Sequence, residues 1–311
     1  MNLFKTALVA IFLLISNLAF ASEPPIKIIS AFPVGSGPDV VIRKVAERLS
    51  EMQKRPVVIE TRPGGNGAVS LQAFKASTEV DTLYFGDSAS YVIIPAMFKN
   101  TDLVSNLEAL SPVAGGDMVL ISSPSIQNFE MLVNAAKKNP SFGSWGVASA
   151  AHLNSLIFLD AIGSSTNNLH IPYKDYGAWF TDTSNQQLTF GFATVGSTIG
   201  LEKAGKIKFQ GITENSHFKN IVTIKSQLKR NVEFIKPYSA LFVNASMPAN
   251  TKQQYISNIS TIMSSNEIKN VLAALNYTPT NPNSAEFSQL LVTQNRIFRD
   301  LIARYNIQLT N

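Results

Sequence analysis

The amino-acid sequence predicts an α/β fold in two lobes. Short β-branched apolar segments alternate with segments whose apolar residues recur every three to four positions, the pattern of strands alternating with helices. Such alternation predicts parallel strands with helices packed on both faces of a sheet. About nine or ten strands are expected, and in a chain of 311 residues two smaller lobes accommodate them better than a single sheet.

The chain begins with a segment typical of a secretory signal peptide. Within residues 1–21, Lys5 precedes a short apolar run, and AFA at 19–21 supplies a small-x-small cleavage site. The apolar run is shorter than the roughly 20 residues that span a bilayer, which disfavours an N-terminal membrane anchor. We therefore predict export with cleavage near Ala21.

The mature chain opens with three strands joined by two helices. Strands are predicted at 26–32, 56–60 and 82–86, and a helix at 68–77. Pro38 fits the first turn of the earlier helix, whose apolar face is formed by Val41, Val45, Leu49 and Met52. The Gly-rich turns between these elements fall at the carboxyl ends of strands, where sheets of this kind bind ligands.

The same alternation continues to the end of the chain. Further strands are predicted at 118–122, 142–145, 168–172, 188–193, 206–213 and 239–244, and helices at 128–138, 150–162, 249–263, 266–275 and 284–305. Crossings between the lobes are expected near 121–125 and 237–243. We therefore assign residues 22–122 and 243–311 to the first lobe and residues 123–242 to the second.

The composition excludes several kinds of site. Because the chain has no Cys, it holds no disulfide, thiolate nucleophile or Cys-ligated metal. Its formal charge of +5 is spread along the chain, unlike the clustered charge of nucleic-acid-binding proteins. The three isolated histidines, His152, His170 and His217, lack the spacing of metal ligands. We expect no metal, cofactor or nucleic acid.

The stretch AFPVGSGPDV, residues 31–40, joins the first strand to the first helix. A P-loop requires G-x-x-x-x-G-K-[ST] and the dinucleotide fingerprint requires G-x-G-x-x-G. The stretch has no Lys, and Val40 occupies the place of the third Gly, so a nucleotide loop is disfavoured. Asp39 either stabilises the helix start or belongs to the site, and Asp87 is either a turn residue or a site residue.

The triplet Gly86-Asp87-Ser88 resembles the nucleophile motif of GDS-type esterases. Such an enzyme pairs its serine with a histidine from an Asp-x-x-His near the C-terminus. No histidine of this chain has Asp three positions before it, and none lies near the C-terminus. Because a hydroxyl without a base is a weak nucleophile, we predict that the protein is not an enzyme. An exported hydrolase using Ser88 is retained as an alternative.

Six motifs in order resemble the Bug-type extracytoplasmic solute receptors, the substrate-binding proteins of tripartite tricarboxylate transporters. They are AFPVGSGPD (31–39), VVIETRPGGNG (57–67), YFGDSAS (84–90), FGSWGVASAAHL (142–153), HIPYKD (170–175) and EKAGK (202–206). Each motif alone is weak, but six in register are specific. The resemblance extends from about residue 26 to residue 305, which is nearly all of the mature chain.

The resemblance implies a two-lobed periplasmic-binding-protein fold of type II, the Venus flytrap, that closes around one ligand. The implied ligand is a small carboxylate, such as a di- or tricarboxylate, held by one loop from each lobe. Integral-membrane subunits of a tripartite transporter are the implied partners, and the receptor is expected to be monomeric. The ligand-binding residues expected by position are Phe32, Pro33, Gly35, Ser36, Gly37, Asp39, Ser88, Trp145, Ala148, Ser149, His152, Tyr173 and Phe192.

The chemistry of the two loops agrees with this expectation. Backbone N–H groups at a helix start have no partner within the helix, and the helix dipole favours an anion there, so no Arg or Lys is required. Trp145, Tyr173 and Phe192 either form walls of the pocket or pack in the core.

Two departures from the family pattern bear on which ligand the protein binds. Thr189 and Ala193 stand where acids are frequent in the family. The loss of an acid beside the cleft would favour a di- or tricarboxylate over an amino acid. A sensory binding protein that has lost transport is a further alternative.

Overall fold

The computed structural model describes residues 23–307 apart from 89, 92, 95–103, 105, 165, 166, 175, 215–217, 219 and 279–283. The predicted signal peptide and His217 therefore lie outside the described residues. In chain order the strands are β1 (Ile26–Ser30), β2 (Val57–Thr61), β3 (Thr82–Asp87), β4 (Leu107–Gly115), β5 (Met118–Ser122), β6 (Ser141–Ser144), β7 (Leu169–Pro172), β8 (Phe190–Thr194), β9 (Lys208–Ile212) and β10 (Tyr238–Asn244).

The helices largely follow the strands one by one. They are α1 (Gly37–Gln53), α2 (Ala68–Ala76), α3 (Phe129–Ala136), α4 (Ala150–Ala161), α5 (Tyr176–Ser184), α6 (Val195–Lys203), α7 (Ile224–Leu228), α8 (Ala249–Ser264), α9 (Asn266–Ala274) and α10 (Ser284–Arg304). A single 3-10 turn, Gly65–Gly67, precedes α2. Within the described residues, no helix has the length and apolar character that crossing a membrane requires.

The strands form two five-stranded sheets, one in each lobe. The first has the order β2-β1-β3-β10-β4 and the second β7-β6-β8-β5-β9. β1 is parallel to β2 and β3, and β6 is parallel to β7 and β8. β10 is antiparallel to β3 and β4, and β5 is antiparallel to β8 and β9. The expectation of parallel strands throughout is therefore wrong for β10 and β5, which run antiparallel to their neighbours.

Each lobe has its own core. In the first lobe, Ile28 and Phe85 pack with α1, α8 and α9 on one face of the sheet. Ile29 and Tyr84 pack with α2 and the start of α10 on the opposite face. Successive side chains of a strand point to opposite faces, which explains why neighbours in β1 and β3 belong to different clusters. The second sheet is covered mainly by α4, whose residues are almost all buried.

The sheets place the crossings between lobes a few residues earlier than the sequence suggested. β5 was assigned to the first lobe but lies in the second sheet, and most of β10 was assigned to the second lobe but lies in the first sheet. The two crossing segments are adjacent, because Gly116 donates its N–H to the carbonyl of Pro237 at 3.3 Å. We therefore propose that the hinge lies at residues 116–117 and 237.

The last helix contacts both lobes rather than the first alone. Phe287 and Leu291, near its start, pack in the core of the first lobe, whereas Phe298 packs in the core of the second. Near its end, Arg304 forms an ion pair with Asp160 at 2.6 Å. The assignment of residues 243–311 to the first lobe consequently describes only part of α10.

Candidate functional site

A cavity of about 150 Å³ lies between the two lobes, where the parallel strands end. This is the position in which open α/β sheets bind ligands. From the first lobe and the hinge it is lined by Ala31, Phe32, Pro33, Gly37, Pro38, Pro63, Gly64, Gly65, Asn66, Gly67, Asp87, Ser90, Ile93, Ala114, Gly116, Pro237, Tyr238, Ser239 and Tyr277. From the second lobe it is lined by Trp145, Ser149, Tyr173, Lys174, Tyr176, Thr194 and Ser197.

The helices α1 and α2 of the first lobe and α4 and α6 of the second begin at this cavity, and α5 also begins there, at Tyr176. α1 begins at Gly37, and the N-cap residues of α2, α4 and α6 are Gly67, Ser149 and Thr194; all four residues line the cavity. The first N–H groups of a helix lack acceptors within it, and the helix dipole places partial positive charge at that end. The arrangement is therefore suited to an anion and needs no cationic side chain.

Asp39 stabilises the first loop, residues 31–36, through hydrogen bonds. Oδ2 of Asp39 accepts the backbone N–H of Gly35 and the Nε–H of Arg43, both at 2.9 Å. Ser36 donates its hydroxyl to the carbonyl of Pro33 at 2.7 Å. Asp39 is only 1% exposed and does not line the cavity, so it stabilises the loop and the helix start. The N–H of Gly35 is likewise already used within the loop.

The second loop, residues 63–67, reaches across the cleft. Asn66 donates from Nδ2 to the carbonyl of Val147 in the second lobe at 2.7 Å. Its φ of 52° is left-handed, a conformation that Asn adopts more readily than most residues. The sequence showed a Gly-rich turn at a strand end here, but no site residue was assigned to it. That same signal was sufficient to include the loop.

The third loop, residues 145–149, is ordered by hydrogen bonds to α4. Ala148 donates its N–H to Nδ1 of His152 at 2.9 Å, and His152 donates its own N–H to Oγ of Ser149 at 3.3 Å. Ala148 has a φ of 61° and is fully buried. Because a hydroxyl has one donor and two acceptor positions, Ser149 retains its O–H for a ligand. His152 and Ala148 position the loop and do not line the cavity.

A pair of stacked histidines supports the third loop. The rings of His152 and His170 lie 3.7 Å apart with an angle of 10° between their planes. Ser144 Oγ donates to the carbonyl of Gly146 at 2.8 Å, so it accepts the proton on Nε2 of His170 at 2.7 Å. Burial, together with His170, lowers the pKa of His152 to about 3, and burial lowers the pKa of His170 to about 4. Both rings are therefore neutral at neutral pH.

Aromatic rings form much of the cavity wall. They belong to Phe32, Trp145, Tyr173, Tyr176, Tyr238 and Tyr277. Tyr173 donates its hydroxyl to Asp182 at 2.6 Å, which directs the hydroxyl toward α5. Burial raises the pKa of Tyr277 to about 12; the charge of Asp87 adds to this shift, and a hydrogen bond with Thr194 opposes it. The wall is thus apolar, with hydroxyl groups that remain protonated.

The structure brings six of the thirteen expected ligand-binding residues to the cavity wall. These are Phe32, Pro33, Gly37, Trp145, Ser149 and Tyr173. The other seven, Gly35, Ser36, Asp39, Ser88, Ala148, His152 and Phe192, lie away from it. The lining residues that the expected set omitted come mainly from the second loop, the segments around the two crossings between the lobes, the ends of β3 and β8, and Tyr277.

The local structure around three residues shows that they do not face the cavity. Phe192 is fully buried, and its ring lies 5.5 Å from that of Phe234 in the second-lobe core. Ser88 is also fully buried, and its Oγ has no hydrogen-bond partner among the described residues. The hydroxyl oxygen of Thr189 accepts the N–H of Ser141 at 3.2 Å, so this side chain is used within the second lobe. In the described residues no group of three or more His, Asp or Glu is arranged to hold a metal.

The sequence matches a known family over most of its length. Residues 41–307 match the model of the tripartite tricarboxylate transporter family receptor. A UPF0065 protein of Bordetella pertussis is 27% identical over 198 residues, 61% of this chain and 61% of that protein. The protein BugT of the same organism is 26% identical over 212 residues, 64% of each chain. The chain therefore spans somewhat less than two thirds of these relatives.

Solved structures show the same fold. The periplasmic binding protein BugD superposes with a TM-score of 0.80 at 18% identity, covering 92% of this chain and 99% of that chain. A protein of R. palustris solved with adipate gives a TM-score of 0.83 at 15% identity, with 92% and 99% covered. MatC from Rhodopseudomonas palustris, with bound malate, gives 0.74 at 13% identity, with 90% and 97% covered. The two-lobed periplasmic-binding-protein fold is confirmed.

Proposed function

Because this chain belongs to the tripartite tricarboxylate transporter receptor family, we propose that it captures a small carboxylate in the periplasm for a membrane transporter. The cavity between the lobes is the binding site. The first, second and third loops hold the ligand. The membrane subunits of a tripartite transporter receive it, and cleavage near Ala21 releases the mature protein.

The convergence of the starts of α1, α2, α4 and α6 on one cavity carries this proposal. Two of the starts belong to each lobe, so an anion contacts all of them only when the lobes are closed. Such an anion stabilises the closed form because it binds that form better than the open one. Each charge-assisted hydrogen bond contributes about 1.5–3 kcal/mol, and a few of them with apolar contact reach micromolar affinity, about −8 kcal/mol.

Two further observations support a carboxylate ligand. MatC and the second R. palustris protein share the fold and were solved with malate and adipate, which are both dicarboxylates. The aromatic wall suits the carbon skeleton of a small organic acid, because ligand sites are mostly apolar with a few placed polar groups.

Binding fits the site better than hydrolysis. The candidate nucleophile Ser88 is fully buried and lies off the cavity wall. Of the two described histidines, His152 accepts a backbone N–H and His170 contacts Ser144, so each ring already has a structural partner. A serine nucleophile requires a base within hydrogen-bond reach.

A thermal-shift screen against organic acids tests the proposal. The mature protein is purified from the periplasmic fraction, and its N-terminal sequence establishes the cleavage site. A ligand at a hundred times its dissociation constant should stabilise the protein by about 2.7 kcal/mol. Absence of a shift with every carboxylate, or an uncleaved chain in the cytoplasm, would overturn the proposal. Deletion of the gene should abolish uptake of the ligand; retained uptake would assign the protein to sensing.

A further inference from the structure

The net charge of the mature chain belongs to the second lobe. Residues 118–236 hold eleven Lys or Arg and seven Asp or Glu, whereas residues 22–117 and 237–311 together hold fourteen of each. The sequence suggested a charge spread along the chain. The two sheets instead divide the chain into a first lobe without net charge and a second lobe with a formal charge of +4.

Three lysines of the second lobe lie at its end farthest from the cavity. α6 begins at the cavity and is about 13 Å long, and Lys203 is its last residue. Lys206 follows in the turn to β9. Lys208, the first residue of β9, pairs with Ser122, where β5 ends after running away from the hinge.

Three more basic residues reach the same end through α4, which begins at the cavity and is about 18 Å long. Arg230 donates to the carbonyl of Ala161, the last residue of α4, at 2.9 Å. Ser164, just beyond α4, donates to the carbonyl of Ala136 at 2.7 Å, and Ala136 ends α3. Two lysines follow it directly. We call the six residues the basic end: Lys137, Lys138, Lys203, Lys206, Lys208 and Arg230.

The basic end is not neutralised by acids of the same chain. Its side chains are exposed, that of Lys208 partly. In the part of the chain that the structure describes, the ion pairs of the second lobe join Lys236 to Asp117 and Arg304 to Asp160, so none involves the basic end.

Helix dipoles account for only part of this cluster. A helix C-terminus favours a nearby cation, which suits Lys137 and Lys203 at the ends of α3 and α6. Lys138, Lys206 and Lys208 lie outside helices. Their positive charge is therefore available to a partner.

We propose that the basic end binds the anionic phospholipid headgroups of a membrane surface and holds the protein there with its cleft facing away from the bilayer. Five of the six residues are Lys. Protein interfaces are depleted in Lys, and a fixed carboxylate is matched better by the planar fork of Arg. A bilayer offers dense negative charge without fixed geometry, which point charges on flexible stems attract.

An exposed apolar side chain accompanies the basic end. Leu169, the first residue of β7, is 60% exposed. Its N–H donates to the carbonyl of Pro140 at 2.8 Å, two residues after Lys138. Binding to a membrane surface grows with the apolar area inserted and with the attraction to anionic lipid, and this end of the lobe supplies both.

Co-sedimentation of the mature protein with vesicles tests this inference. The protein should bind vesicles of phosphatidylglycerol and phosphatidylcholine in equal parts but not vesicles of phosphatidylcholine alone, and added salt should weaken the binding by screening. Lys203→Gln combined with Lys206→Gln should lower the vesicle affinity about 25-fold, because each Lys at an anionic surface contributes about fivefold. Lys137→Gln combined with Lys138→Gln should do the same. Both double variants should keep the carboxylate affinity of the native protein.

The matched control exchanges two exposed lysines of the first lobe, Lys54→Gln with Lys269→Gln, and should leave vesicle binding unchanged. An equal loss in this control, or no binding to the mixed vesicles at low salt, would overturn the inference. Tighter binding to polyglutamate than to the mixed vesicles would assign the basic end to an acidic protein and overturn it as well. Should both double variants of the basic end fail to fold, the lipid preference and salt dependence of the native protein decide. Vesicle binding without binding of any carboxylate would overturn the proposed function alone.

Discussion

The side-chain amide of Asn66 in the first lobe donates a 2.7 Å hydrogen bond to the backbone carbonyl of Val147 in the second. The same side chain occupies the space beside Gly146, where a Cβ would lie 1.8 Å from Oδ1 of Asn66. The second and third loops thus meet directly, and no side chain fits at residue 146 while they do. Because the contact joins the two lobes across the cleft, their separation would break it.

Replacement of Asn66 by glycine should weaken ligand binding without loosening either lobe. Glycine accepts the left-handed φ of 52°, so the loop keeps its course. The lost hydrogen bond contributes about 1 kcal/mol, and it forms only in the closed protein that the ligand stabilises. We expect an affinity about fivefold lower in calorimetric titration with a ligand from the screen.

Asn139→Gly is the matched control for this variant. Asn139 has the same φ of 52° and is exposed, but it lies outside the cavity. Its replacement should leave the affinity unchanged. Equal effects of the two variants would show that the contact between Asn66 and Val147 does not contribute to closure.

A second contact between the lobes depends on Gly196. A Cβ at this residue, in α6, would lie 2.1 Å from the carbonyl oxygen of Leu275 at the end of α9. Because the contacting atom belongs to the backbone, Gly196→Ala forces the two lobes apart at this point. Overpacking of this kind costs about 1–3 kcal/mol, so ligand affinity should fall by about fivefold to 150-fold.

The same helix supplies the control, because Gly200 has nothing within 4 Å of its Cβ position. Both substitutions exchange Gly for Ala in α6, which should favour the helix by up to about 1 kcal/mol. Gly200→Ala should therefore keep the affinity and slightly raise the stability of the ligand-free protein. Titration and urea unfolding of both variants separate the two effects. Loss of affinity in Gly200→Ala as well would mean that α6 itself, rather than closure, is disturbed.

The sequence predicted those parts of the site that follow directly from local pattern. The three loops follow β1, β2 and β6, where a strand pattern gives way to Gly and then to a helical period, so their place at the cleft could be read from neighbours in the chain. The individual residues Phe32, Pro33 and Ser149 were assigned through the resemblance to the receptor family, and all three line the cavity. Tyr277 could not be found, because its place on the wall depends on the bridge between Gly115, at the end of β4, and Thr278 and on packing in the first-lobe core.

β4 shows why part of the fold escaped sequence reasoning. Its segment LEALSPVAG contains Pro112, which argues against a central strand. β4 lies at the edge of the first sheet, and its pairing with β10 shifts register on either side of Ala240 and Leu241. An edge position and bulges both accommodate proline. The antiparallel place of β10 likewise depends on the chain returning from the second lobe, which no local pattern records.

Asp39 should be required for the stability of the first loop. Its side chain is 2% exposed and accepts from both Gly35 and Arg43. Asp39→Ala leaves the N–H of Gly35 without its acceptor, which costs about 1–3 kcal/mol of unfolding free energy. Ligand affinity should fall as well, because Phe32 and Pro33 of this loop line the cavity.

Asp39→Asn tests the cause of this loss, because the amide oxygen can still accept from Gly35. Urea unfolding should show a smaller decrease for this variant than for Asp39→Ala. Full stability and affinity in Asp39→Ala would mean that the loop is held by the hydrogen bond between Ser36 and Pro33 instead.

The stacked histidines should make the protein less stable in mild acid. The folded pKa of His152 is about 3, against about 6.5 in the unfolded chain, so below pH 6.5 only the unfolded chain binds the proton. His152 therefore leaves stability unaffected above that pH and lowers the unfolding free energy by about 1.4 kcal/mol per pH unit below it; His170, with a pKa of about 4, acts in the same direction. His152→Asn keeps an acceptor for the N–H of Ala148 but does not titrate. Urea unfolding between about pH 6 and pH 5 should show a shallower slope for the variant; parallel slopes would mean that His152 is protonated in the folded protein.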